Sequence, residues 1–326
     1  RQMCIRDSYE TYGDDSLIKK YYPNMRRYVD YLKTRADKGI LSFGLGDWYD
    51  YGDFRAGFSR NTPVPLVATA HYYMTVMYLV KAAKMVGNDF DTRYYTSLAQ
   101  DIMAAFNKCF LHKDTAQYGT GSQCSNALPL FLQMTQNADE QGNYQSDADL
   151  HEKVFTNLIK DVEAHGNRLT TGDVGNRYLI QTLARNGEHE LIYKMFNHEE
   201  APGYGFQLKF GATTLTEQWD PRQGSSWNHF MMGQIDEWFF NSLVGIRPST
   251  TPKQGYQKFI IAPQPVGDLK YVKASYETLY GTINVDWTCE NGTFTLNVSV
   301  PVNTTAVVYL PGEKEPKEIQ LSLIHI

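Results

Sequence analysis

The sequence predicts a mostly helical fold with a β appendage: part of a toroid of helical hairpins, followed by an antiparallel β-sandwich. Three observations predict it. Apolar residues recur at three- and four-residue steps from about residue 16 to residue 246. After Ile246 the recurrence changes to period two. Short polar turns separate the helical runs, as expected for stacked helix pairs. About eight helices are legible, against about twelve in a complete six-hairpin toroid.

The first helical run is "DDSLIKKYYPNMRRYVDYLKTRA", with Ile18, Tyr22, Met25, Tyr28, Val29 and Leu32 on one face. Pro23 predicts a break or a fresh first turn inside it. "TPVPLVATAHYYMTVMYLVKAAKMVG" follows, with Pro63 and Pro65 near its start and Gly87 near its stop. The remaining helices are "FDTRYYTSLAQDIMAAFNKCFL", "SNALPLFLQMT", "ADLHEKVFTNLIKDVEAHG", "GNRYLIQTLARNG", "EHELIYKMFN" and "WNHFMMGQIDEWFFNSLVG". "RPSTTPKQG" has turn chemistry and reads as a linker. Beyond it, Phe294, Leu296, Val298 and Val300 alternate with Thr295, Asn297 and Ser299, and Asn291-Gly292 is a hairpin turn. The domains read as 9–247 for the helical toroid and 248–320 for the sandwich. The ends, 1–8 and 321–326, continue no neighbouring pattern and are expected to be non-native, so the chain is expected to be a fragment.

Composition narrows the function. Hydrophobic content is 42%, charged content 21% and net charge −5 over 326 residues, which makes nucleic acid an unfavourable partner. The sequence holds no apolar run of membrane-spanning length. Cys4, Cys109, Cys124 and Cys289 form no CxxC pair and no metal-like spacing with histidine, so neither a metal nor another cofactor is expected. The 23 tyrosines lift aromatic content to 13%. Rings with polar tips suit sugar binding and suit ordinary amphipathic packing equally.

Three stretches break the helical pattern with Gly, Asp and Trp: "GLGDWYD" at 44–50, "GATTLTEQWD" at 211–220 and "SSWNHF" at 225–230. Loops at helix ends are where a rigid scaffold displays function. Hydrolysis of a glycoside needs two carboxyls flanking the scissile bond, an aromatic floor and groups that read hydroxyls. Glu217, Asp47, His229, Trp48 and Trp219 supply such groups. Each has a plainer reading. A lone Glu among threonines is usually a solvated loop acid, an Asp before Trp a cap or turn former, and a Trp part of the core.

The motifs taken together resemble the bacterial α-L-rhamnosidases of glycoside hydrolase family 78. "GLGDWYD" is similar to that family's GDW loop. "GSQCSNALPL" and "RLTTGDVGNRYLIQTL" resemble two of its helical segments. "GATTLTEQWD…SSWNHFMMGQIDEWFF" resembles its GATTxWExWD and FNH region. "FIIAPQPVGDLKYVKASYETLYGTI" resembles its C-terminal β domain. The resemblance runs in order over residues 9–311. It implies a partial (α/α)6 barrel and an inverting hydrolysis of terminal α-L-rhamnose, with rhamnosides as the partner molecules. It also implies that Glu217 is the general base, that His229 and Trp48 contact the sugar, and that Asp47 binds a hydroxyl. Trp219 is the further aromatic candidate. Thr216 stands where the family often has Trp, and Trp227 where it often has Phe.

The family's general acid lies in a motif upstream of the first helix, and no matching motif occurs here. The fragment alone is therefore expected to be inactive. Two alternatives are a polysaccharide lyase, which needs a Tyr or His base beside a cation, and a carbohydrate-binding protein that cleaves nothing.

Overall fold

The computed structural model describes residues 2–55, 57–138, 144–224, 226–249, 255–312, 315 and 317–321. Part of the sequence-read linker, residues 250–254, and the terminal residues 1 and 322–326 lie outside them. The chain divides into two compact units. One is Tyr21–Gln234. The other joins Arg1–Lys20 to Ile235–Ile326.

The unit Tyr21–Gln234 is built from helical pairs. Helix α1 (Gln2–Tyr12) precedes it, and α2 (Ser16–Arg35) leads into it. α2 runs unbroken through Pro23, where the sequence predicts a break. Pro23 faces solvent, so the carbonyl one turn earlier can tilt toward water. The apolar stripe Tyr22, Met25, Val29 and Leu32 stays buried and in register, while Tyr28 is exposed.

Helices α3 (Val64–Met85) and α4 (Asp89–Phe110) form a hairpin. α3 is apolar around most of its circumference, and Leu66, Ala70, Val76, Leu79 and Ala83 are fully buried. Pro65 sits in its first turn, where a missing N–H costs nothing. The side chain of Asn88 caps α4 by accepting from the Asp91 N–H at 3.0 Å. Asp89 and Asp91 in the first turn and Lys108 in the last oppose the helix dipole.

Helix α5 (Gln123–Phe131) packs on α6 (Ala148–Ala164) and α7 (Gly175–Arg185), and α7 packs on α8 (His189–Phe196). The short helix α9 (Tyr204–Lys209) and the small hairpins β1–β2 (Leu111–His112, Gln117–Tyr118) and β3–β4 (Gln136–Ala138, Tyr144–Ser146) carry too few residues to show a period in the sequence. The run "WNHFMMGQIDEWFFNSLVG", expected as one helix, is not one. It holds a single 3-10 turn at Phe230–Met232, then α10 (Ile235–Trp238) and a wider π turn at Phe239–Val244. The His229 N–H donates to the Leu215 carbonyl at 3.0 Å, which takes it out of any helical ladder.

In the other unit, strands β5 (Ile246–Pro248), β6 (Lys258–Ile261), β10 (Thr304–Val308) and β11 (Lys317–Leu321) form one sheet. Strands β7 (Tyr271–Thr278), β8 (Gly281–Glu290) and β9 (Thr293–Ser299) form a second. Ile246, Phe259, Ile261, Ala306 and Val308 of the first sheet share one core with Ile283, Val285 and Trp287 of the second, which makes the pair a sandwich. The β8–β9 turn is Asn291-Gly292, both at positive φ (50° and 76°), as the right-handed twist of a hairpin requires. The sandwich is not purely antiparallel: β6 and β10 run parallel. The chain between them crosses through the second sheet, and a crossover of that length permits a parallel return.

Candidate active site

Four segments of the unit Tyr21–Gln234 are joined into one strip by backbone and side-chain hydrogen bonds. The first is the loop 44–50. Asp47 is fully buried. One of its carboxylate oxygens accepts the Gly172 N–H at 3.0 Å and the other the Gly175 N–H at 2.6 Å. Burial pushes Asp47 up to about 6, against the opposing pull of those two amides. Trp48 is half-buried and meets Tyr49 and Phe58 edge to face. Tyr49 holds φ at 60°, a left-handed conformation that a ring-bearing residue adopts at a cost of about 1–3 kcal/mol. Its N–H donates to the Gly57 carbonyl at 2.8 Å, which helps hold it there.

The second segment, 170–176, lies along the first. The Asp173 N–H donates to the Trp48 carbonyl at 2.7 Å, and the Tyr51 N–H donates to the Thr170 carbonyl at 3.0 Å. Two glycines make this approach possible. A Cβ on Gly172 would stand 2.0 Å from the Trp48 carbonyl oxygen, and one on Gly175 would stand 2.6 Å from an Asp47 carboxylate oxygen.

The third segment carries Glu217. Trp219 is 1% exposed and donates its Nε1–H to the Thr171 carbonyl at 3.1 Å, tying this loop to the second segment. Thr216 is buried and donates to the Gln218 carbonyl at 2.6 Å, a local bond that tightens the turn around Glu217. Glu217 is half-buried. Its backbone N–H donates to the Ser226 carbonyl at 2.9 Å, and its Oε2 accepts the Ser226 N–H at 3.2 Å. The carboxylate is thus oriented by the fourth segment, 226–229, and keeps an accessible side. Beside it, Asp220 takes a two-point grip from Arg222, both contacts 2.9 Å, which holds its carboxyl below the usual range.

His229 sits at the end of that fourth segment, half-buried, with its ring stacked on the exposed Phe230. Trp227 is bonded through Nε1 to the Pro221 carbonyl at 3.0 Å. Ser225, the start of this motif, lies outside the described residues.

The sequence-selected residues therefore separate into two sets. Glu217, His229 and Trp48 present surface to solvent. Asp47 and Trp219, expected as a hydroxyl ligand and a sugar-facing ring, do not. Asp47 spends both oxygens on backbone amides, and the Trp219 ring is core. These two hold the loops together instead. Two further groups belong to the strip and were not singled out. The Tyr49 hydroxyl is raised by burial and then by the charges of Glu217 and Asp173. Asp173 is pushed up to about 7 by burial, then by Asp47 and Glu217. The signal for Asp173 was present in the sequence: an acid within "TTGDVG", the same Gly- and Thr-rich kind of break that marks Glu217.

Of these segments only the second, through Thr170, reaches an open cleft of 490 Å³, which Tyr51, Phe54, Asn61, His165 and Arg168 also line. Among the described residues no group of three or more His, Cys, Asp or Glu side chains could hold a metal ion.

Paired helices with a half-exposed carboxylate on their connecting loops, and a β-sandwich in the same chain, are the architecture of a six-hairpin glycosidase domain followed by a C-terminal β domain. The comparisons with known proteins narrow the class. The bacterial alpha-L-rhamnosidase six-hairpin glycosidase domain matches residues 2–243, and the bacterial alpha-L-rhamnosidase C-terminal domain matches residues 245–321. The chain belongs to the bacterial α-L-rhamnosidase family. An alpha-L-rhamnosidase of Streptomyces avermitilis is 28% identical over 96% of this chain, and one of Formosa agariphila 29% identical over 93%. Among solved structures, an alpha-L-rhamnosidase from Dictyoglumus thermophilum is 34% identical with a TM-score of 0.80, covering 92% of this chain and 33% of its own. The Streptomyces avermitilis enzyme complexed with L-rhamnose is 26% identical with a TM-score of 0.80, covering 92% of this chain and 28% of its own. The chain spans 29% and 32% of the two curated relatives.

Proposed function

We propose that this chain supplies the water-activating half of a site that hydrolyses terminal α-L-rhamnosides with inversion. The carrying observation is Glu217: a half-buried carboxylate, oriented through Oε2 by the Ser226 amide, in a loop bonded to the segment that carries His229 and to the segment next to the one that carries Trp48. In the reaction, Glu217 takes a proton from water as the water oxygen bonds to the anomeric carbon. The glycosidic C–O bond breaks on the opposite face, and the departing oxygen takes a proton from a general acid. Trp48 offers a ring to the apolar face of the sugar and His229 a hydrogen-bonding edge to a hydroxyl.

The names of the relatives support rhamnose as the sugar, and one of them was solved with L-rhamnose bound. The general acid is proposed to lie upstream of residue 1. The chain by itself then lacks an assistance of about 10²–10⁴-fold and shows little or no turnover on unactivated rhamnosides. The division at 247/248 into barrel and sandwich domains is part of the same reading.

The test is Glu217→Gln in the full-length gene product, which keeps the side-chain shape and removes the base. Release of rhamnose from an aryl α-L-rhamnoside is expected to fall by about 10³-fold or more, with KM changed little. Turnover within a few-fold of the parent would remove Glu217 from the role.

A further inference from the structure

The reaction just described gives no task to the open cleft beside the strip. Its 490 Å³ falls within the range of about 300–1,000 Å³ that small-molecule sites occupy. Thr170 lines the cleft, and the carbonyl of the next residue, Thr171, accepts the Trp219 Nε1–H at 3.1 Å. Tyr51, which directly follows the loop 44–50, lines it too and donates its N–H to the Thr170 carbonyl at 3.0 Å. Asn61 clasps the same two stretches. Its side-chain amide donates to the Tyr51 carbonyl at 2.9 Å and to the Thr170 carbonyl at 3.1 Å. The wall that borders the strip is therefore held in place by hydrogen bonds from both sides.

The lining groups define a kind of ligand. Both Asn61 amide hydrogens are engaged by carbonyls, which leaves its Oδ1 as an acceptor. The Tyr51 hydroxyl and the buried Nε–H of Arg168 have no hydrogen-bond partner among the described residues. Arg168 is fixed nonetheless, its guanidinium by Glu200 and its carbonyl by the Gln123 side-chain amide at 3.0 Å. Phe54 adds a ring. It lies against Gly52, where a Cβ would stand 2.4 Å from the ring, and the Arg60 guanidinium stands 5.7 Å from its centre. An acceptor, a hydroxyl and a donor beside an aromatic ring suit a polyhydroxylated ring with an apolar face. Charge on the walls is balanced. Asp161 stands 3.3 Å from His165, Arg168 is paired with Glu200, and Asp53 is exposed, where water screens it. Neither an anion nor a cation is favoured, so the fitting ligand is neutral.

We propose that this cleft is a subsite for a second, neutral sugar of the substrate, the unit that carries the terminal rhamnose. The proposal rests on the reading of the strip as a site for terminal rhamnosides. A terminal rhamnose has the rest of its chain on the leaving-group side, so a further sugar held by the protein lies there. Contacts to that sugar are remote from the bond that breaks, and they act by positioning it. A substrate with a small phenol in that place lacks them.

The test uses the full-length gene product and two substrates, an aryl α-L-rhamnoside and an α-L-rhamnosyl-glucose disaccharide. The quantity read is the ratio of kcat/KM for the disaccharide to that for the aryl glycoside. Phe54→Ala lowers the ratio by about three- to tenfold. Tyr51→Phe, which removes the hydroxyl alone, lowers it by about two- to fivefold and carries the test if Phe54→Ala does not fold. An unchanged ratio in the folded variants, whether both substrates lose equally or neither loses, overturns the proposal. Glucuronic acid in place of glucose earns no preference over the neutral disaccharide; a preference for it overturns the neutral class. Calorimetry separates this claim from the reading beneath it. In a Glu217→Gln background the disaccharide still binds, and Phe54→Ala weakens that binding by about three- to tenfold. If the parent releases no rhamnose while this weakening appears, the rhamnoside reading falls and the cleft stands as a sugar site. If turnover is normal and the weakening is absent, the cleft proposal alone falls.

Discussion

The β8–β9 hairpin and the strip around Glu217 are built on opposite principles. The hairpin is local. Its turn is two adjacent residues, Asn291 and Gly292, and its inward face alternates Phe294, Leu296, Val298 along one strand. The strip is assembled from four segments spread between residues 44 and 229. Asp47 bonds amides 125 and 128 residues away, and Trp219 a carbonyl 48 residues away. A local structure survives the loss of a distant partner. A structure assembled from long-range bonds loosens where one bond is removed, and the proposed base, Glu217, stands in such a structure.

Substitutions can sharpen the contrast. Trp287→Ala removes a fully buried ring whose Nε1–H also donates to the Leu243 carbonyl at 2.9 Å. It should cost about 3–5 kcal/mol, read as faster amide hydrogen exchange in β7, β8 and β9. Asp47→Ala leaves two buried amides without acceptors, at about 1–3 kcal/mol each. Exchange should rise in 44–50 and 170–176 while β8–β9 stays protected. Equal loosening of the hairpin would contradict the division between local and assembled structure.

A smaller effect follows from pH. The carboxyls of Asp47 and Asp173 are raised in the fold from 3.8 to about 6 and about 7. The folded state therefore binds more protons than the unfolded one between those limits. The stability these two groups contribute is present below about 3.8 and is lost as pH rises through about 6 and then about 7. Urea midpoints should fall between pH 5 and pH 8, with a shallower fall in Asp173→Asn. Smallest of all, Gly292→Ala at φ 76° should cost about 1 kcal/mol and touch only the hairpin.

The same contrast explains what the sequence made legible. Helix and strand periods are local, so the paired helices and the change of pattern at Ile246 could be read directly. The parallel β6–β10 pair could not, since it depends on where the chain returns after a whole sheet. Nor could the division of "WNHFMMGQIDEWFF", which turns on one bond from His229 to Leu215. At the candidate site, Glu217 stood out as an acid in a break. Asp173 stood in a similar break, yet its surroundings are created by Trp48, Asp47 and Gln234, none of them near it in sequence. The burial of Asp47 and Trp219 was hidden for the same reason: both lie in loop-like stretches whose partners are remote.

The most direct measurement of the central claim is the stereochemistry of the first product. An NMR time course of the full-length gene product on an aryl α-L-rhamnoside should show β-L-rhamnose first, the α-anomer following only by mutarotation. Glu217→Gly supplied with azide should form the β-L-rhamnosyl azide, the small anion replacing the water that Glu217 would have activated. α-L-Rhamnose as the first product, or an α-azide, would contradict Glu217 as the base of an inverting hydrolysis.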